Sequence, residues 1–177
     1  MENKFNPIHG VKVIGVGHKA RQGKDTIAGH LVRNYGATRM SFADALYDVA
    51  RVVFGMKEKD GPLLQVLGTD VFRKKDPEIW LSTLYFKIQD QKPALVVIPD
   101  VRFPNEVEMI KSMGGDTIKI ERTHKDGSPF RATDRPLNHP SEIALDDYKD
   151  WDYVITAKSG DLDDIYGETD AIMDWIK

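Results

Sequence analysis

The sequence predicts an α/β fold, a parallel β-sheet flanked by helices on both faces, from three observations. Short apolar runs alternate along the chain with amphipathic stretches of helical spacing. The two clearest runs, residues 11–16 and 94–98, are apolar almost throughout, as in strands buried on both faces. Residues fit for ligand chemistry follow the strands: Gly17 after the first, Asp100 after the central one, Arg122 after the next. On parallel sheets that carboxyl edge is where ligands bind.

The elements follow in order. Residues 11–16 form a strand that runs into glycine, and from Lys24 onward Ile27, Ala28, Leu31, Val32 and Tyr35 recur at helical spacing. Residues 37–42 read as a short strand and 43–54 as a helix by composition. Residues 62–72 carry Leu63, Leu64, Val66, Leu67 and Val71 on one face, with Pro62 suited to a helix start. A further helix holds Ile79, Trp80, Leu84, Tyr85 and Ile88. Residues 94–98 give the central strand, ending at Pro99-Asp100, and residues 105–113 a helix that stops at Gly114-Gly115. Residues 117–121 are another strand. The segment 122–140 then breaks the rhythm: it is polar, contains Gly127 and three prolines, and lacks apolar periodicity. So long a stretch without regular structure marks a functional loop or lid. Residues 153–156 give a last strand, and Leu162, Ile165, Ile172, Trp175 and Ile176 mark closing helices.

With 177 residues, the chain is expected to be one domain with a substantial core. Hydrophobic residues at 41% and charged residues at 30% fit a soluble globular protein. A net charge of -3 provides no global attraction to a nucleic-acid polymer or an anionic membrane, so phosphate chemistry must rest on local Arg and Lys clusters. The absence of cysteine excludes disulfides, thiolate nucleophiles and Cys-based zinc sites. No apolar run approaches the ~20 residues of a membrane-spanning helix, and the first nine residues lack a signal-peptide core. A cytoplasmic location is the expectation.

The segment Gly-His-Lys-Ala-Arg-Gln-Gly-Lys-Asp-Thr, residues 17–26, reads as a phosphate loop around a nucleoside triphosphate. The free N–H groups of a helix start carry about +0.5 charge, and Gly23 lets the backbone approach a phosphate. Lys24 would reach the outer phosphates. The segment departs from G-x-x-x-x-G-K-[ST] twice: Gly17 lies one residue early with His18 in its place, and Asp25 stands where Ser or Thr would hold Mg²⁺, with Thr26 next. A carboxylate is a good hard-cation ligand, so Asp25 is a candidate for Mg²⁺, directly or through water. Gly-Lys alone is a common helix start; the strand before, the amphipathic helix after, and Lys19 and Arg21 inside give it weight. Ala20 and Gln22 complete the candidate ATP-binding loop. On the acceptor side, the central strand delivers Asp100 to the active edge as a metal-orienting or substrate-facing carboxylate. Arg102 offers a planar fork to a phosphate, the bland alternative being a pair between the two.

Five segments occur in order: Gly-Lys-Asp-Thr; Ser41-Phe-Ala-Asp-Ala-Leu46; Leu67-Gly-Thr-Asp-Val-Phe-Arg73, with Trp80 after it; Asp100-Val-Arg-Phe-Pro-Asn-Glu106; and His139-Pro-Ser-Glu142. Together, over nearly the whole chain, they resemble the deoxynucleoside monophosphate kinases of bacteriophages, of the nucleoside monophosphate kinase-like P-loop fold. The resemblance implies one P-loop kinase domain, residues 1–177, with its phosphate loop at 17–26, an NMP-binding region at about 42–90 and a lid at about 122–140. It implies Mg²⁺-dependent transfer from ATP to a dNMP, giving a dNDP, in a monomer or homodimer, within a host cytoplasm if phage-encoded. Arg73 and Arg102 would contact the monophosphate. Phe42 and Trp80 stand as base-pocket walls or core residues, Asp44 as a helix cap or a ligand contact.

In the lid, Arg131 and Arg135 are candidates to meet the transferring phosphoryl group, a charge worth about 10³–10⁵ in rate in such enzymes. Arg122 is a candidate to stack on adenine, and Lys158 and Gly160, after the last strand, to offer groups to it. Glu142 would orient a lid arginine or the substrate; His139 with one Glu is too little for zinc. Transfer to an anionic phosphate oxygen needs no general base, which fits a set of Lys, Arg and Asp. Two alternatives stand: a phosphomevalonate kinase-like enzyme, which the Gly-Lys-Asp and Asp-x-Arg segments also resemble, and a non-catalytic nucleotide switch.

Overall fold

The computed structural model describes residues 4–132, 138 and 140–176. Five strands lie side by side in the order β2-β3-β1-β4-β5, every neighbouring pair parallel. They are β1 (Lys12–Gly17), β2 (Thr38–Arg39), β3 (Leu95–Val101), β4 (Asp116–Thr123) and β5 (Tyr153–Lys158). The helices are α1 (Lys24–Tyr35), α2 (Asp44–Val52), α3 (Gly61–Gln65) running into a π-helical turn (Val66–Arg73), α4 (Ile79–Gln91), α5 (Pro104–Ser112), α6 (Pro140–Ile143) and α7 (Leu162–Ile176). The expected parallel sheet, flanked on both faces, is what the chain forms.

Alternation along the strands splits the core in two. Val13, Val96 and Ile98 face one layer with Leu81, Leu84 and Ile88 of α4 and Ile110 of α5. Ile14, Val16, Val97, Ile118 and Ile155 face the other, against Ile27 and Leu31 of α1 and Ile165 and Ile172 of α7. Both faces of the sheet centre are covered by apolar side chains, which is why β1 and β3 read as largely hydrophobic runs. β1 sits in the middle, so its loop opens at the centre of the carboxyl edge with the ends of β3 and β4 beside it.

Local structure departs from the sequence expectation at five places. The strand expected at 37–42 is two residues long, because the N–H groups of Phe42 and Ala43 turn to the Asp100 carboxylate. The helix α2 starts at Asp44 rather than being capped by it; the Asp44 carboxylate instead accepts from the Ser41 N–H and from Lys87 at 2.8 Å. The helix expected at 62–72 begins as α3, capped by Asp60 on the Leu63 N–H at 3.0 Å, and then widens into the π turn. There the Gly68 carbonyl accepts from the Trp80 indole at 3.1 Å. The irregular stretch loses its first part to regular pairing: β4 continues to Thr123, and the chain folds back so that the Phe130 N–H donates to the Arg122 carbonyl at 2.9 Å. A single helix, α7, replaces the expected closing helices.

Candidate active site

The loop between β1 and α1 is closed by glycine at both ends. At Gly17 a Cβ would run into the Trp151 ring and stand 3.1 Å from the Val101 carbonyl. At Gly23, φ is +119° and a Cβ would lie 2.9 Å from Ile120. No side chain caps the first turn of α1, which leaves its positive end open to an anion. Lys24 is buried, its ammonium bonded to the Lys19 carbonyl across the loop. Burial, with the Arg102 charge nearby, lowers its pKa to about 7, against the pull of Glu142, Asp25 and Asp100. His18 is buried, with Nε2 3.0 Å from Asp146, and burial lowers its pKa to about 4, so it is neutral at pH 7. Lys19 meets the same Asp146 carboxylate at 2.7 Å.

Gln22 ties this loop to the segment that leaves β4. Its amide oxygen accepts the Arg122 N–H and its amide nitrogen donates to the Phe130 carbonyl at 3.1 Å. The Arg122 guanidinium lies 4.2 Å from the centre of the Phe130 ring and donates to Ser159 Oγ at 2.9 Å. One face of the residue expected at adenine is therefore covered by Phe130. His18, Lys19, Gln22, Arg122 and Arg131 line a cavity of about 340 Å³ beside the loop. Lys158 ends β5 in register with Thr123, and Gly160 follows at φ +92°. Arg135 and His139 lie outside the described residues.

A second cleft, of about 400 Å³, opens between the end of β3 and the helices from α2 to α4. It gathers the expected acceptor-side residues Phe42, Arg73, Trp80, Asp100 and Arg102. Trp80 and Phe42 are both buried in the core, as the core reading expects, and both also line the cleft. Asp100 does not pair with Arg102. It accepts from Ser41 Oγ, the Phe42 N–H at 3.1 Å and the Ala43 N–H at 3.0 Å, while burial pushes its carboxyl above the usual range. Arg102 donates instead to Glu142 at 2.5 Å. Glu142 stands behind the cleft and reaches back to the Ala20 N–H at 3.0 Å.

Four residues with no role assigned from the sequence belong here. Glu106 is 1% exposed, accepts from Arg73 at 2.6 Å, and takes the Arg102 and Phe103 N–H groups at 2.7 and 3.1 Å. Burial raises its pKa to about 7 despite Arg73. Phe103 lies under the Arg73 guanidinium, 4.2 Å from ring centre to Cζ. Arg39 lines the cleft and binds Asp25, whose side chain is 80% exposed. Ser41 holds Asp100. Glu106 had a signal in the sequence: an acid at the third helical position, two residues after the helix-starting Pro104, the place of the acid in a capping box. The other three had none.

Asp25 and Asp100 supply the hard oxygen donors that a divalent cation prefers. Among the described residues, no group of three or more His or acidic side chains is placed to hold a metal. A cation here would therefore take its remaining ligands from phosphate and water, as Mg²⁺ commonly does. No helix among the described residues is long and apolar enough to cross a membrane.

Solved structures share the fold over almost the full chain. One from Thermus thermophilus aligns with a TM-score of 0.56 at 16% identity, covering 97% of this chain and 99% of its own. The dephospho-CoA kinase of Campylobacter jejuni aligns with a TM-score of 0.52 at 13% identity, covering 95% and 98%. An Acanthamoeba polyphaga mimivirus protein named "Putative deoxynucleotide monophosphate kinase" is 31% identical over 81% of this chain and 86% of its own. The family model for deoxynucleotide monophosphate kinase matches residues 61–168, a span that holds Arg73, the β3 edge with Asp100 and Arg102, and Glu142. The chain is a kinase of the P-loop fold and belongs to the deoxynucleotide monophosphate kinase family.

Proposed function

We propose that the chain transfers the terminal phosphoryl group of ATP to a deoxynucleoside monophosphate, giving a dNDP and ADP, in a Mg²⁺-dependent reaction. The observation that carries this reading is the candidate acceptor cleft: two arginines, Arg73 and Arg102, line one cavity with Phe42 and Trp80, at the end of the strand next to β1. Paired guanidinium forks suit a phosphate monoester, and an apolar, aromatic end suits a base. In the transfer, an anionic oxygen of the monophosphate forms a bond to the terminal phosphorus of ATP. The bond from that phosphorus to its bridging oxygen breaks, and ADP leaves with the electron pair.

The chain's own residues divide the work. The open start of α1 and Lys24 hold the triphosphate; Arg73 and Arg102 hold the acceptor; Arg131, with Arg135, supplies positive charge from the lid. Mg²⁺ held by Asp25 and Asp100 would neutralise phosphate charge. Residues 42–90 then form the NMP-binding region and residues 122–140 the lid of one kinase domain. The test is an ADP-release screen with ATP and Mg²⁺ across the common dNMPs, NMPs and phosphomevalonate. ADP release that requires a dNMP supports the reading. Turnover of phosphomevalonate without any dNMP, or slow hydrolysis indifferent to acceptor, overturns it.

A further inference from the structure

The two halves of the site stand on neighbouring strands: the phosphate loop follows β1, and Arg102 follows β3. One side chain touches both. Glu142, 6% exposed on α6, accepts the Ala20 N–H of the loop at 3.0 Å through Oε2 and Arg102 Nη1 at 2.5 Å through Oε1. The Ser141 carbonyl lies 3.4 Å from the same Nη1. Glu106, the buried glutamate that lines the cleft, grips Arg73 and the start of α5, and none of its bonds reaches the loop.

A buried ion pair is weak evidence for stability, since apolar packing serves as well or better. What a carboxylate does that apolar packing cannot is accept two directed bonds from two different loops and so fix their spacing. In-line transfer depends on that spacing: reacting atoms must stand ≈ 3–3.5 Å apart, and a 1 Å displacement can reduce the rate by about 10²-fold. We propose that Glu142 is a positioning residue that ties the Arg102 guanidinium to the phosphate loop, so that the acceptor phosphate is held at transfer distance from the donor. The inference rests on the dNMP kinase reading and adds a residue that acts through Arg102.

The test is a double-mutant cycle of Glu142→Gln and Arg102→Lys, read as kcat and KM for the best dNMP and as affinity for AMP-PNP without acceptor. Glu142→Gln keeps the volume and one acceptor oxygen but loses the charge; Arg102→Lys keeps the charge but loses the fork. Each single variant is expected to raise KM for the dNMP about tenfold or more and to lower kcat. AMP-PNP affinity should stay within about threefold, and the double variant should be no worse than the poorer single one. Glu142→Asp, whose shorter arm cannot span both partners, should reproduce the pattern and serves if Glu142→Gln does not fold. Effects that multiply in the double variant overturn the proposal. So does a loss of AMP-PNP affinity as large as the loss for the dNMP, which would make Glu142 a support of the loop alone. A wild-type chain inactive on every dNMP overturns the functional reading and this inference together; an active wild type with independent variants overturns the inference alone.

Discussion

Arg73 and Glu106 meet at 2.6 Å in the wall of the acceptor cleft, the carboxylate almost fully buried and the guanidinium resting on Phe103. The pair couples the proposed monophosphate contact, Arg73, to the start of α5, where Glu106 takes the Arg102 and Phe103 N–H groups. Arg73→Ala should raise KM for the monophosphate at least tenfold. It should also destabilise the fold by about 3 kcal/mol, because Glu106 is left buried and unpaired. Steady-state kinetics and urea unfolding of one variant check both; loss of activity with unchanged stability contradicts the burial argument.

Stability around Glu106 should depend on pH with a definite sign. Its carboxyl is raised from 4.5 to about 7 by burial, so the folded state binds more protons than the unfolded state between those values. Its contribution therefore falls as pH rises from about 4.5 to 7. Comparing urea midpoints at pH 5 and pH 7, Glu106→Gln should remove that downward component. An unchanged slope would show that the group is ionised throughout.

Lys24 titrates in the opposite sense. Its pKa, lowered from 10.5 to about 7, means that the folded state binds fewer protons there, so its contribution to stability rises from about pH 7 to 10.5. Bound phosphates favour the charged ammonium. Triphosphate binding at pH 8 should therefore take up a proton, seen by calorimetry in buffers of different ionisation enthalpy. Lys24→Met should abolish the uptake and nearly all transfer.

Gln22 completes the pairing where the chain folds back after β4, so Gln22→Ala strands the Arg122 N–H and the Phe130 carbonyl. A buried unsatisfied group costs about 1–3 kcal/mol. Hydrogen exchange at the Arg122 amide should accelerate at least tenfold, and KM for ATP should rise. Exchange at wild-type rate would mean that the side chain does not hold this pairing.

The sheet and the phosphate loop were legible because their causes are local. Buried parallel strands need apolar runs, and an anion cradle needs glycine, lysine and a helix start in fixed order. Arg102 was legible at a strand edge and Arg73 in a matched motif. Their carboxylate partners were not: Glu106 carried no role in the sequence and Glu142 stood as a residue to orient a lid arginine or the substrate, until the fold brought them within reach of Arg73 and Arg102. The π turn was invisible for the same reason. Its stability comes in part from the Trp80 indole on the Gly68 carbonyl, a contact across 12 residues that no periodicity records. Asp44 is no cap because α2 begins at it, with Ala43 at the cap position and the Asp44 carboxylate turned to the Ser41 N–H and Lys87.

The excursion from β2 to β3 leaves the sheet at Arg39 and returns at Leu95, on two strands that lie side by side. Everything between them, including Phe42, Arg73 and Trp80, is one insertion with both ends on neighbouring strands, moored by α4, whose Leu81, Leu84 and Ile88 pack on the sheet. Its outer part, from α2 to the π turn, can change length between relatives without rethreading a single strand. Under the proposed function, selectivity for the acceptor is thus free to diverge while the machinery for the donor stays fixed.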